Sequence, residues 1–192
     1  MEKIGLVTIT YNSADVIRDF LESTFSQTFQ NFVIYIIDNN SQDDTLEILT
    51  EYTDSRIKLV KNKKNNGVAK ANNQGIELAL KDNCTQVLII NNDVEFEKQL
   101  FDKMLQVQKD KNCSLVVPKM MYFDNPDYIW YAGSTFIKKK GFLPIHKGIK
   151  QKDISQFDGV YPVEYAPTCC LLVKKEVFQD VGMMDEKYFV YF

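Results

Sequence analysis

The stretch FVIYIIDNNSQDDT, residues 32–45, decides the fold. Residues 32–37 are β-branched, aromatic or isoleucine throughout, with no polar alternation. Such a run reads as a strand buried on both faces. It stops at Asp38-Asn39-Asn40-Ser41, a cluster of turn-forming residues. Leu46, Leu49 and Tyr52 then recur at helical spacing. A strand covered on both faces and followed at once by a helix is the unit of a parallel sheet.

The same unit recurs on either side. Upstream, KIGLVTIT at 3–10 is a second buried strand. Asn12-Ser13 offers a helix cap, and Ile17, Phe20, Leu21 and Thr24 fall on one helical face. Downstream, IKLV at 57–60 is a short strand, and the polar run Lys61 to Gly67 follows it. Val68, Ala71, Asn72, Gly75, Ile76 and Ala79 then line one helix face, small enough to approach a sheet closely. VLII at 87–90 ends at Asn91-Asn92-Asp93, and Leu100, Phe101, Met104 and Leu105 mark a fourth helix. LVV at 115–117 is a fifth strand, closed by Pro118. Four strand–helix units predict an α/β, Rossmann-like, mainly parallel sheet with helices on both faces.

After Pro118 the pattern changes. Aromatic residues become dense (Tyr122, Phe123, Tyr128, Trp130, Tyr131, Phe136). Residues 138–152 hold six lysines and His146 among glycines and read as an exposed loop. Strands are expected again at 160–164 and 168–173, and a short helix at 174–181. The chain is thus expected to be one domain, with a first half at 1–118 and a smaller mixed region at 119–192.

Composition excludes several classes. The 192 residues are 45% hydrophobic and 26% charged, which is globular and not disordered. The net charge of -3 argues against a nucleic-acid binder. Cys84, Cys113, Cys169 and Cys170 form no CxxC pair, so a zinc site is not expected; Cys169-Cys170 reads as a reduced pair within a strand. The single histidine, His146, reads as a solvated loop residue rather than a member of a catalytic triad. No apolar run approaches the length of a membrane span. The strand beginning at Lys3 leaves no room for a signal peptide, so the expected location is cytoplasmic.

In a parallel sheet the strand tails gather on one edge, where ligands bind at the point of reversed strand order. Here the tails are Thr10-Tyr11-Asn12, Asp38 to Ser41, Lys61 to Gly67, and Asn91-Asn92-Asp93. All are polar, and two carry a carboxylate. Asp93 suits a hard cation such as Mg²⁺ or Mn²⁺ that bridges phosphate oxygens, or it is a turn residue or cap. Asp38 can accept hydrogen bonds from a base or ribose, or it can cap the next helix, with Ser41 and Asp44 as a weak capping pair. Asn66-Gly67 can present N–H groups to phosphate at a helix N-terminus, or form a cap and tight turn. Neither a Walker loop nor a GxGxxG is present, which weakens ATPase and dinucleotide readings.

The series TxTYN at 8–12, IIDNNSQDDT at 36–45, NxxNxGVAKANNQGI at 62–76 and VLIINNDV at 87–94 resembles glycosyltransferase family 2, in particular its bacterial rhamnosyltransferase-like branch. APTCCLLVKKEVFQDVGMMDEKYFVYF at 166–192 resembles that family's acceptor-side segment. The resemblance implies a GT-A fold, a nucleotide-diphospho-sugar donor, and Mg²⁺ or Mn²⁺. It also implies an inverting transfer to a glycan or lipid-linked saccharide in bacterial surface polysaccharide synthesis. Residues 1–118 become the donor half and 119–192 an incomplete acceptor half. Thr10 and Asn12 would lie beside the nucleoside, Asp38 on the base or ribose, and Asn66 and Gly67 near the nucleotide. Asn92 and Asp93 stand where the family has its D-x-D-like pair, with Asp93 the metal ligand.

The family's general base belongs to an acidic pair just after the segment resembling 189–192, so it is expected beyond Phe192 in a chain that reads as truncated. Asp185 and Glu186 are not expected to replace it. A peripheral place at the inner membrane face and a homodimer are compatible with this reading. Two alternatives stay open: a nucleotide-sugar-binding module without turnover, and a sugar-nucleotide pyrophosphorylase. The second is disfavoured because Tyr11-Asn12-Ser13-Ala14-Asp15 stands where a glycine-rich basic loop would be.

Overall fold

The computed structural model describes residues 1–190. Four strand–helix units come first: β1 (Ile4–Thr10), α1 (Ile17–Phe25), β2 (Phe32–Asp38), α2 (Thr45–Thr50), β3 (Ile57–Lys61), α3 (Val68–Lys81), β4 (Gln86–Ile90) and α4 (Leu100–Asp110). The remainder is β5 (Leu115–Val116), β6 (Met120–Met121), β7 (Ile129–Tyr131), β8 (Ser134–Ile137), β9 (Leu143–His146), β10 (Cys170–Lys174) and α5 (Lys175–Val181). The central sheet runs β3-β2-β1-β4-β10-β5. β1 to β4 are mutually parallel, and β10 is antiparallel to both its neighbours.

Period-two alternation assigns each strand residue to a layer. Ile4, Leu6, Ile34, Ile36, Leu88 and Ile90 face one side and pack with Ile17, Phe20 and Leu21 of α1, Ile48 and Leu49 of α2, and Leu100, Phe101 and Met104 of α4. Val7, Tyr35, Val87 and Ile89 face the other, against Ile76 and Ala79 of α3 and Phe178 of α5. α3 comes close because its face is small: a Cβ on Gly5 would sit 2.5 Å from that of Ala79, and one on Gly75 would run into Val7. α1 buries the four residues its spacing predicted, Ile17, Phe20, Leu21 and Thr24. No helix among the described residues is long and apolar enough to cross a membrane.

β10 inserts between β4 and β5 and pairs with both. Three expectations are corrected. Residues 160–164 form no strand: β8 pairs with β9 instead, and among the described residues the backbone–backbone hydrogen bond left there is Glu164 N–H on Ser134 O at 3.3 Å. Part of the expected 138–152 loop is β9, joined to β8 through a turn in which Gly141 and Phe142 adopt φ of 67° and 60°. Asn12-Ser13 does not supply a side-chain cap to α1. Asn12 has φ 54°, and its side-chain oxygen instead accepts Gln42 N–H at 2.8 Å.

Candidate active site at the carboxyl edge of the sheet

Strand order reverses beside β1, which lies between β2 and β4. Register brings the tails level. Thr10 is paired with Asp38, and Asp38 with Lys61, while Val7 is paired with Ile89 of β4. The polar residues after each strand therefore share one edge, as the sequence pattern requires.

The first two tails are stitched together. Asp38 is 1% exposed and accepts four hydrogen bonds. Thr10 Oγ1 (2.9 Å) and Ser41 Oγ (2.6 Å) donate to Oδ1. The Asn40 and Ser41 N–H groups, both at 3.1 Å, donate to Oδ2. A carboxylate offers about four acceptor sites, so these are filled. Thr10, wholly buried, points inward to Asp38. Asn12 N–H donates to Ser41 Oγ (2.9 Å) and Ser13 N–H to Thr45 Oγ1 (2.7 Å), locking the loop after β1 onto the loop after β2. Ser41 is thus Asp38's partner and forms no capping pair with Asp44.

An amide network continues to α3. Asn39, 2% exposed, accepts from Asn62 Nδ2 at 2.9 Å and donates to Gly67 O at 3.2 Å. Asn62 and Gln74 exchange two side-chain hydrogen bonds, of 2.9 and 3.0 Å. Asn66 N–H reaches Asn39 Oδ1 at 3.5 Å. Gly67 precedes α3 at φ 81°, and its N–H is held by Asn65 Oδ1 at 2.9 Å. The N–H of Val68, the first residue of α3, is taken by Phe189 O at 2.6 Å. That carbonyl, rather than open space, stands against the helix N-terminus.

The approach to Phe189 is fixed on α3. Asn73 Oδ1 accepts Met184 N–H at 3.0 Å, and its Nδ2 donates to Met184 O at 2.9 Å and Glu186 Oε1 at 3.2 Å. Lys70 lies 3.7 Å from Glu186. None of Asn39, Asn62, Asn73 and Phe189 was given a role from sequence, although the first three fall inside the quoted stretches at 36–45 and 62–76 and Phe189 inside that at 166–192.

At the β4 tail the arrangement is different. Asp93 is exposed, and Asn92 is half-buried with a buried Nδ2 that has no hydrogen-bond partner among the described residues. Asp19, Asp93 and Glu95 line a shallow recess with Val16, Phe20, Val94 and Phe123. Among the described residues no three such groups come together closely enough to hold a metal ion. Asp93 shares that recess with Asp19 and Glu95, and a carboxylate at the end of β4 is the kind of oxygen donor that suits a hard cation. Cys169, also missed as a site residue, accepts Asn91 N–H on its carbonyl at 3.0 Å. Burial raises its thiol to about 11.

His146 is not a solvated loop residue. It ends β9 with its ring 4.9 Å from Trp130, 5.0 Å from Tyr131 and 6.0 Å from Tyr165, and its buried Nδ1 has no hydrogen-bond partner among the described residues. Nothing in this aromatic setting makes a triad.

Residues 6–182 match the family model for glycosyl transferase family 2. The chain belongs to glycosyl transferase family 2. It is 25% identical to glycosyltransferase GlyG of Streptococcus pneumoniae, over 98% of this chain and 62% of GlyG. It is also 25% identical to the dTDP-rhamnosyl transferase RfbF of Shigella flexneri, over 97% of this chain and 59% of RfbF. The chain therefore spans about 60% of the length of these relatives. The mannosyltransferase PcManGT of Pyrobaculum calidifontis, solved with GDP-Man and Mn²⁺, superposes with a TM-score of 0.70 at 15% identity, over 96% of this chain and 48% of that one. The family 2 chain thus has the GT-A fold, with the mainly parallel sheet read from its sequence.

Proposed function

We propose that this chain is the donor-binding half and part of the acceptor half of an inverting glycosyltransferase. It would move a sugar from a nucleotide-diphospho-sugar to a glycan or lipid-linked saccharide in bacterial surface polysaccharide synthesis. The observation that carries the reading is the orphaned Nδ2 of Asn92 beside exposed Asp93. Asn39, Asn62 and Asp38 are satisfied within the protein; among the described residues this buried donor is not, and a buried donor without a partner costs about 1–3 kcal/mol. Oxygens of a diphosphate or sugar would satisfy it. Family 2 membership and the RfbF likeness support a sugar nucleotide as their source.

In this reading residues 1–118 bind donor and 119–192 face acceptor. Asp93 would hold Mg²⁺ or Mn²⁺, which supplies charge neutralisation on the leaving diphosphate. Asn92 donates to a donor oxygen. Lys61, Lys63 and Lys64, all exposed beside the edge, raise the local concentration of the anion. Asp38 and Thr10 contribute through shape: they fix the Asn40-Ser41 turn and Asn12 on the nucleoside side. Asn66 and Gly67 hold the α3 entrance against Asn39 and Phe189.

The acceptor hydroxyl needs a base. Glu164 Oε2 accepts Phe136 N–H at 2.6 Å, Asp185 accepts Lys187 N–H at 3.0 Å, and Glu186 is held by Asn73 and Lys70. Each of the three already has a protein partner, so none is assigned as the base. Phe189, lying at Gly67, directs the backbone to this edge.

Transfer of radiolabelled sugar from a panel of sugar nucleotides tests the proposal. Binding of at least one donor with transfer of its sugar is expected. Donor binding without turnover would favour the binding module. The localisation at the inner membrane face and a homodimer remain part of the proposal.

A further inference from the structure

Residues 128–152 hold six of the chain's 23 basic residues and none of its 26 acidic ones. The segment is +6, and the remainder of the chain, with 17 basic and 26 acidic residues, is -9. Most of that positive charge sits on the β8–β9 hairpin and just after it. Lys138, Lys139 and Lys140 form its tip and are exposed. Among the described residues neither they nor Lys150 make an ion pair.

The hairpin has two unlike faces. Ser134, Phe136, Pro144 and His146 turn inward, where Tyr165 N–H donates to Ser134 Oγ at 2.9 Å and Tyr165 stacks on His146. Leu143 and Ile145 turn outward, 51% and 41% exposed, paired across the strands with Ile137 and Thr135. At the tip the left-handed backbone of Phe142, unfavourable for a bulky residue, leaves its side chain 61% exposed. Exposed apolar side chains flanked by unpaired lysines are the composition that binds an anionic lipid surface.

We propose that the β8–β9 hairpin docks the chain onto an anionic bilayer. Phe142, Leu143 and Ile145 enter the interfacial region, and Lys138, Lys139 and Lys140 lie on the headgroups. Charge complementarity commits the face to this occupant. The -9 remainder is repelled by the same surface and turns the hairpin toward it. A nucleic-acid strand fits less well. The aromatic rings that would stack on bases, Trp130, Tyr131 and Tyr165, pack on His146, and the outward residues are mainly aliphatic. The inference rests on the membrane-face localisation proposed above, and because its binding is read without donor or acceptor it can fail separately from the transferase reading.

The test is co-sedimentation of the 192-residue chain with phosphatidylcholine vesicles and with mixed phosphatidylcholine–phosphatidylglycerol vesicles, at low and high salt. Salt-sensitive binding to the mixed vesicles is expected, with far weaker binding to phosphatidylcholine alone. K138Q/K139Q/K140Q, which removes only exposed, unpaired charges, should weaken binding by roughly a hundredfold while leaving the melting temperature unchanged. F142S/L143S should weaken it by about tenfold or more at every salt concentration. No binding by the unmodified chain would overturn the proposal, as would binding that survives K138Q/K139Q/K140Q. Tighter binding to a duplex DNA oligonucleotide than to mixed vesicles would transfer the face to nucleic acid.

Discussion

Replacing Asp38 with alanine separates a carboxylate that shapes the site from one that touches ligand. In the structure Asp38 accepts from two hydroxyls and two backbone N–H groups and is 1% exposed. Hydrogen bonds to a charged group contribute about 1.5–3 kcal/mol each, but the four share one acceptor and do not add. Ser41 Oγ can turn to other partners, and the turn N–H groups regain some water. Buried Thr10 Oγ1 cannot. A net loss of about 3 kcal/mol follows, and at roughly 2–4 °C per kcal/mol for a chain of this size the melting temperature should fall by about 6–12 °C. Asp38→Asn should cost nearly as much, because one amide face would set N–H against N–H. Donor affinity measured well below the melting range should change by less than about threefold. Differential scanning fluorimetry and calorimetric titration read the two quantities separately. An unchanged melting temperature with a tenfold or greater loss of nucleotide affinity would refute the reasoning and make Asp38 a direct ligand contact.

Three further outcomes are expected. Asp93→Asn should abolish the metal-dependent part of donor binding in titrations with and without Mn²⁺ and leave the melting temperature within about 1 °C, because the side chain is exposed. Gly67→Ala should cost about 1–3 kcal/mol from its backbone at φ 81° and ψ 175° alone, and its Cβ, 2.5 Å from Phe189 O, should loosen the 184–189 segment; faster tryptic cleavage at Lys187 would report this. Cys169, with its thiol raised to about 11, is roughly one part in a thousand thiolate at pH 8, so alkylation mapped by mass spectrometry should proceed far more slowly there than at a free thiol and accelerate as pH rises.

The sequence made the first half legible because local rules and tertiary need agree there. Residues 4–10, 32–38 and 86–90 are apolar on both faces, and only a doubly covered sheet satisfies that pattern. The edge was legible for the same reason, since parallel strands collect their tails. What side chains do at that edge was not. Asp38 reads equally as ligand contact or cap, and its four partners come from three separate residues set by folding. The place of β10 was hidden because an apolar run does not state which strands it will join. β9 was masked by neighbouring lysines and glycines, although Leu143 and Ile145 alternate with Pro144 and His146 as an edge strand should. His146 was misread because its aromatic partners, Trp130, Tyr131 and Tyr165, lie 15 to 19 residues away along the chain.

The central claim is that the carboxyl edge of this sheet binds a sugar nucleotide through Asn92 and a cation on Asp93. Isothermal titration of residues 1–192 with UDP-, GDP- and dTDP-sugars, each in Mn²⁺ and then in chelator, tests it most directly. Saturable one-to-one binding of at least one donor is predicted, lost in chelator and in Asp93→Asn and weakened by Asn92→Leu. Absence of binding by every donor in both conditions, or binding indifferent to both substitutions, would contradict it.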